Sequence, residues 1–263
     1  MAWRYAAASV VGASHRAAGT PCQDRHRCEL IAGTADNGTL VAVVSDGAGS
    51  ARHGERGAAL ATELLSEAAA AWFRNGGSVR DLDRTRVVGW LERLRAAIAG
   101  EAEACGGEPR DFAATLLLAC LDERTAVFGQ IGDGAIVTSA KPGEWLAQWW
   151  PKHGIYANQT FFLTDADAPE RLSFGHSLLP IGEVALFTDG LERVLLDFSV
   201  REPHGPAFER MLGPLRAAGG TNHVESLSGA LAGYLASPAV ASRTDDDITL
   251  VIGTRRAAPL GPR

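Results

Sequence analysis

The stretch TLVAVVSDGAGS, residues 39–50, decides the fold. From Thr39 to Ser45 the segment is short, and its residues through Val44 are β-branched or apolar at consecutive positions. An alternating pattern would mark a strand with one face in water, whereas a continuous one predicts a strand buried on both faces. That strand breaks at Asp46-Gly47. From about Gly54 to Phe73 the period changes, and Leu60, Leu64, Leu65, Ala68 and Trp72 recur at helical spacing.

Working outward, a second helix is expected from about Asp83 to Cys105, with Val87, Val88, Leu91, Leu94 and Ile98 on one side and Gly106-Gly107 as its stop. Ala113–Leu121 and Thr125–Ile131 read as strands joined by a hairpin-like Asp122-Glu123-Arg124 turn. Ala135–Ser139 and Val184–Thr188 are further strands, and Ile248–Gly253 is the last. Helices are expected over Pro206–Ala217 and Asn222–Ala236, and a buried first strand within Met1 to Ala18. The segment from Trp145 to Leu163 is aromatic and irregular, and Trp145, Trp149 and Trp150 read as packing residues. Strands come in blocks with long helices inserted in pairs. A doubly wound parallel sheet is therefore disfavoured and an α+β antiparallel sandwich expected. One domain is expected over residues 1–255, with a frayed tail at 256–263.

Composition sets outer limits. The 263 residues include 31 acidic and 25 basic ones, for a formal charge of −6, which disfavours a nucleic-acid binder. No apolar run approaches the roughly 18 residues that span a bilayer, and Met1 to Ala18 makes a poor secretory signal, so no membrane partner is expected. Cys22, Cys28, Cys105 and Cys120 form no Cys-x-x-Cys pair and suit reduced thiols in a cytoplasmic protein.

The chemistry lies in the placing of aspartates. Asp46-Gly47, Asp133-Gly134 and Asp189-Gly190 each follow an apolar strand directly. Asp-Gly favours tight hairpins, and that plain reading suits Asp133, because the strand-like AIVTS follows. It suits the other two poorly, since both lead into helix-like sequence. Two strand–Asp–Gly–helix junctions suggest carboxylates held at a sheet edge, with Gly allowing close backbone approach. Asp245-Asp246-Asp247 stands immediately before the last strand. A solvated loop tolerates its repulsion at some cost; a bound divalent cation removes it. Gln23-Asp24 precedes a further strand. Carboxylates without His or Cys suit hard cations such as Mg²⁺ or Mn²⁺, and two such ions about 4 Å apart can activate water for in-line displacement at phosphorus.

Six elements in order resemble the metal-dependent protein phosphatases, the PPM or type-2C family, and most of all its compact bacterial branch. They are GASHRAAGTPCQD (12–24), VAVVSDGAGS (41–50), DFAATLLLACLD (111–122), GQIGDGAIV (129–137), ALFTDGL (185–191) and DDDITLVI (245–252). The resemblance implies a four-layer α-β-β-α sandwich, two antiparallel sheets face to face with helices outside both. It implies that Asp46 bridges two Mn²⁺ or Mg²⁺ ions, that the Gly47 carbonyl binds one of them, and that Asp189 and Asp246 are further ligands, with Asp247 where Asn is usual. Asp133 matches the residue that holds a third, weaker metal in some members. Gln23-Asp24 stands at the family's Glu-Asp, so the charge of one metal-proximal group is missing. The family's phosphate-binding Arg falls near Thr20; Arg16 or His15 could take that role, or both could be surface residues. His53 reads as a general acid or as a surface residue at a helix start, and Thr115 as a core or supporting residue.

The implied activity is hydrolysis of phosphoserine or phosphothreonine by direct attack of a metal-bridging water, with Asp46, Asp189 and Asp246 carrying catalysis. A phosphorylated protein and a cognate Ser/Thr kinase are the implied partners. Two other readings stay open. Gln23 and the missing upstream Arg would suit a non-catalytic phosphatase-like binding domain, and the same site chemistry would suit a hydrolase of a small phosphorylated molecule.

Overall fold

Six consecutive apolar or β-branched residues, Thr39 to Val44, form a strand because both of its faces are covered. The computed structural model describes residues 2–33, 35–151 and 160–258. In chain order its strands are β1 (Arg4–Val10), β2 (Arg25–Ile31), β3 (Thr39–Ser45), β4 (Leu116–Leu121), β5 (Ala126–Ile131), β6 (Ala135–Ser139), β7 (Leu146–Ala147), β8 (Ser173–Ser177), β9 (Glu183–Phe187), β10 (Leu196–Asp197), β11 (Glu202–Pro203), β12 (Asn222–His223) and β13 (Ile248–Thr254). The helices are α1 (Ala13–Ala18), α2 (Gly54–Arg74), α3 (Arg84–Cys105), α4 (Ala168–Arg171), α5 (Glu192–Leu195), α6 (Gly205–Ala217), α7 (Glu225–Leu235) and α8 (Pro238–Ala241). One sheet has the order β2-β3-β4-β5-β8 and is antiparallel throughout. The other has the order β12-β1-β13-β9-β6-β7, antiparallel except where β12 runs parallel to β1.

Period-2 alternation sorts β3 between two cores. Val41 and Val43 join α2 and α3 in a cluster with Leu65, Phe73, Leu91 and Ile98. Leu40, Ala42 and Val44 point the other way, into the layer between the sheets, where they meet Leu117, Phe128, Ile136, Leu186 and Val251. A third cluster, with Phe187, Phe208, Leu212 and Leu235, lies between the second sheet and α6 and α7. Each buried Val, Leu or Phe contributes about 1.5–3 kcal/mol, so both faces of both sheets are held. Three apolar layers between four structural layers give the expected α-β-β-α sandwich. Asp83 caps α3 by accepting the Arg86 N–H at 2.8 Å, and Gly106 ends it in the left-handed conformation, φ 70°.

Several elements differ from the sequence reading. The first strand ends at Val10, and α1 follows with no buried residue. The helix expected from Asn222 starts at Glu225, because Asn222 and His223 pair with Arg4 and Tyr5 as a sheet-edge extension. The SFGHS sequence of β8 carries little apolar signal; it is an edge strand recruited by pairing with β5. Trp145 stacks on Phe208 at 4.9 Å and Trp150 meets Phe198 edge-on at 5.3 Å, both packing contacts. Of the aromatic segment, residues 152–159 lie outside the described residues. Among the described residues no helix is long and apolar enough to cross a membrane.

Of the tail expected to fray at 256–263, residues 259–263 lie outside the described residues, and the described part makes tertiary contacts. Arg256 donates to Glu183 Oε2 at 2.7 Å and to the Ser139 carbonyl at 3.0 Å, and the Ala258 N–H donates to the Arg216 carbonyl. Glu183, fully buried, also accepts from Arg216 at 2.6 and 2.7 Å and from the Thr254 hydroxyl at 2.9 Å. Truncating one member of a buried charge network leaves the others uncompensated, at a cost of about 3–5 kcal/mol. Glu183→Ala is therefore expected to lower the free energy of unfolding by that amount, read from urea denaturation. A loss below about 1 kcal/mol would show that solvent reaches the two guanidinium groups.

Candidate active site and metal centre

Strands of both sheets start or stop where the carboxylates gather, and each of these strand termini delivers one. Asp46 follows β3 and Asp24 precedes β2, both in the first sheet. Asp189 follows β9 and Asp246 precedes β13, both in the second. Asp133 lies between β5 and β6, which belong to different sheets and do not pair. The hairpin reading of Asp133-Gly134 is thus corrected: the Gly-Asp-Gly segment is the corner where the chain crosses from one sheet to the other. A hairpin needs paired flanking strands, and sequence alone could not tell pairing from crossing.

The crossing puts Asp133 into the cluster. Carboxylate oxygens of Asp46, Asp133 and Asp189 lie within 4.8 Å of one another. Asp46 is held well above the usual carboxylate range, first by burial and then by the charges of Asp24, Asp189, Asp246 and Asp133. Burial, followed by the charges of Asp133 and Asp246, pushes Asp189 up to about 8. Burial lifts Asp24 to about 7 against the lowering effect of its hydrogen bonds. Asp246 is raised by its partial burial and by the Asp247 charge. Five carboxylates that disfavour one another's ionisation are gathered where no guanidinium or ammonium neutralises Asp46 or Asp189 within the described residues. Two of their buried oxygens, Asp24 Oδ1 and Asp189 Oδ1, and Gln23 Oε1 have no hydrogen-bond partner among those residues. An all-oxygen donor set with orphaned acceptors fits hard divalent cations.

The backbone is shaped for this. Asp46 exchanges hydrogen bonds with Thr115: its N–H donates to the Thr115 hydroxyl at 3.0 Å, and its carbonyl accepts the Thr115 N–H at 2.8 Å. Thr115 is therefore a positioning residue for Asp46. A Cβ on Gly47 would come within 2.4 Å of the Gly54 backbone, and one on Gly190 within 2.3 Å of the Asp247 carbonyl oxygen. Only glycine lets these chain segments close around the cluster.

A family model described as Protein phosphatase 2C matches residues 11–233. The chain belongs to the protein phosphatase 2C family. This family member is 39% identical over 256 residues to Serine/threonine-protein phosphatase 3 of Escherichia coli (strain K12), a match covering 96% of this chain and 98% of that protein. Solved structures share its fold at lower identity. The serine/threonine phosphatase Stp1 from Staphylococcus aureus superposes with a TM-score of 0.61 at 15% identity, over 96% of this chain and 95% of that one. The catalytic domain of the serine threonine protein phosphatase PstP, solved in complex with 2 manganese ions, gives 0.62 at 18% identity, over 96% and 97%.

Within this 2C phosphatase fold the adjacent Asp246 and Asp247 part company. Asp246 faces Asp46 and Asp189, and its charge opposes the ionisation of both. Asp247 is buried and accepts the Gly12 N–H at 2.6 Å, the Gln23 N–H at 2.6 Å and the His15 Nδ1 at 2.8 Å. It ties α1 and the Gln23 loop to the site edge. One imidazole nitrogen of His15 is thereby occupied. Arg16 is exposed on the same short helix and pairs with no described residue. His53 starts α2, tilts onto Phe112 at 4.9 Å between ring centres and lies 4.0 Å from Cys105 Sγ, contacts that suit the helix-start reading.

Three contributors carry little sequence signal. Glu192 is buried, accepts the Gly134 N–H at 2.8 Å and is raised by burial to about 7. Thr188 donates to Asp24 Oδ2 at 2.8 Å and accepts the Thr249 N–H. Thr160 donates to Asp133 Oδ2. Glu192 stands three positions after Asp189 in a helix-like run, a spacing that could have marked it.

Proposed function

We propose that this protein is a metal-dependent phosphoprotein phosphatase that hydrolyses phosphoserine and phosphothreonine. The observation that carries the reading is the convergence of Asp46, Asp133 and Asp189 within 4.8 Å at the open edge of the sandwich. Asp46, Asp189, Asp246 and the Gly47 carbonyl would hold two Mn²⁺ or Mg²⁺ ions, and Asp133 a weaker third. When bound, these ions neutralise the carboxylates, activate water and stabilise charge developing on phosphorus. The chain's own residues do the rest. Thr115 fixes Asp46, and Thr188 orients Asp24 by donating to Oδ2. Gln23 offers a neutral amide oxygen where the family has a carboxylate, which weakens one metal site. Arg16, exposed and unpaired, suits bidentate capture of phosphoryl oxygens, and His15 supports the same border through Asp247. The four free thiols support a cytoplasmic location, and a cognate Ser/Thr kinase follows from the substrate class.

The test is turnover of a phosphothreonine peptide, p-nitrophenyl phosphate and a nucleoside monophosphate with millimolar Mn²⁺. Peptide hydrolysis is expected. Nucleotide turnover without peptide turnover would favour a small-molecule hydrolase, and no turnover of any substrate would favour a binding domain.

A further inference from the structure

A second cavity lies far from the carboxylates in character. It has a volume of about 500 Å³ and opens between α6 and α7, over the outer face of the second sheet. Ala6 and Ile252 form its floor; Met211 and Leu215 of α6 face Leu227 and Leu231 of α7. Small side chains on the sheet and on α7 leave the two helices unable to close over this face. Cavities of roughly 300–1,000 Å³ with apolar walls and a few polar groups are typical of small-molecule sites.

Its border is cationic although the chain is acidic overall. Arg210 and Arg243 line it, both exposed and neither pairing with a described residue; His204 adds an imidazole, and no carboxylate lines it. An apolar trough edged by unpaired guanidinium groups is complementary to one ligand chemistry, an alkyl or aryl chain ending in an anion. Its walls also include Val194, five residues after Asp189 on α5, and Ala239 of α8, which with Arg243 leads into the Asp245–Asp247 loop. Two of the segments that carry site carboxylates therefore rest against the cavity.

We infer that this cavity binds an amphiphilic carboxylate of fatty-acid type and that its occupancy is linked to metal affinity at the carboxylate cluster. The linkage rests on the metal-site reading above; binding does not. Linkage is reciprocal, so metal should change carboxylate affinity by the same factor.

The test uses the full chain with sodium dodecanoate below its micellar concentration, followed by calorimetry. Saturable 1:1 binding is expected, weakened at least tenfold in the Arg210→Glu, Arg243→Glu double variant and in Ala230→Trp, which blocks an exposed position on the mouth. Dodecyltrimethylammonium should bind at least tenfold more weakly than dodecanoate. Equal affinities in wild type and both variants, or equal affinities for anion and cation, would overturn the site. Mn²⁺ titration with and without dodecanoate reads the linkage. A change of about fivefold or more is expected, and identical Mn²⁺ affinities would overturn it. No Mn²⁺ binding at all would overturn the metal-site reading and, with it, the linkage, while leaving the dodecanoate result to decide the cavity.

Discussion

Asp46→Asn is expected to lower phosphomonoester hydrolysis by about 10²–10³-fold, the scale on which removal of one charge-stabilising group acts, while raising the melting temperature of the metal-free protein. The two effects have one cause. Asp46 lies among Asp24, Asp133, Asp189 and Asp246, and burial together with their charges opposes its ionisation. Without cations that arrangement is destabilising, and an isosteric amide relieves it while keeping the Thr115 hydrogen bonds to the backbone. Each kcal/mol relieved raises the melting temperature by about 2–4 °C for a chain of this size. With cations present the amide would offer no negative charge to hold them, and activity would fall by that factor. Steady-state rates at saturating Mn²⁺ and thermal denaturation in chelator check both halves. A rate within tenfold of wild type would remove Asp46 from catalysis. A lower melting temperature in chelator would show that Asp46 stabilises the fold by a contact other than those described.

Stabilisation by Mg²⁺ or Mn²⁺ is expected to grow steadily from pH 6 to pH 8. In the folded, metal-free chain Asp24 and Glu192 titrate near 7 and Asp189 near 8, all lifted chiefly by burial. In the unfolded chain the same groups titrate near 4. Between those limits the folded state holds more protons than the unfolded one. Stability is thus fully present below about pH 4 for these groups and is lost as pH rises through 7 to 8. Divalent cations bind the ionised carboxylates and compete with protons, so their apparent affinity rises over the same window. At a hundredfold excess over the dissociation constant the gain is about 2.7 kcal/mol. Thermal melts at pH 6, 7 and 8, with chelator and with 5–10 mM metal (on the order of concentrations that saturate weak sites), would show two diverging curves. A metal-induced shift that is the same at pH 6 and pH 8 would sink the expectation.

Much of the layered fold was legible because its causes are local. TLVAVVS, short and rich in β-branched residues, suits a doubly covered strand, and the 3.6-residue period of Leu60, Leu64 and Leu65 suits a helix. The strand–Asp–Gly–helix junctions at Asp46 and Asp189 were legible for the same reason, since turn chemistry and period change within a few residues. β8 and β12 were not, because short polar segments become strands only when a neighbour offers free backbone groups.

What the sequence by itself determined is therefore the set of elements, the strand-end position of the aspartates and, through their order, the family. What only the tertiary structure decided is which of those aspartates meet and what each one does. Asp133 reads as a hairpin turn until β5 and β6 fall in different sheets. Asp246 and Asp247 are chemically identical neighbours, yet one faces the cluster and the other clamps Gly12 and Gln23 from more than 220 positions away in the chain. The cavity between α6 and α7 likewise exists only through the spacing of two helices on one sheet. Local periodicity sets what a segment becomes; burial and charge among segments distant in sequence set what its side chains face, and that information appears only when the layers close.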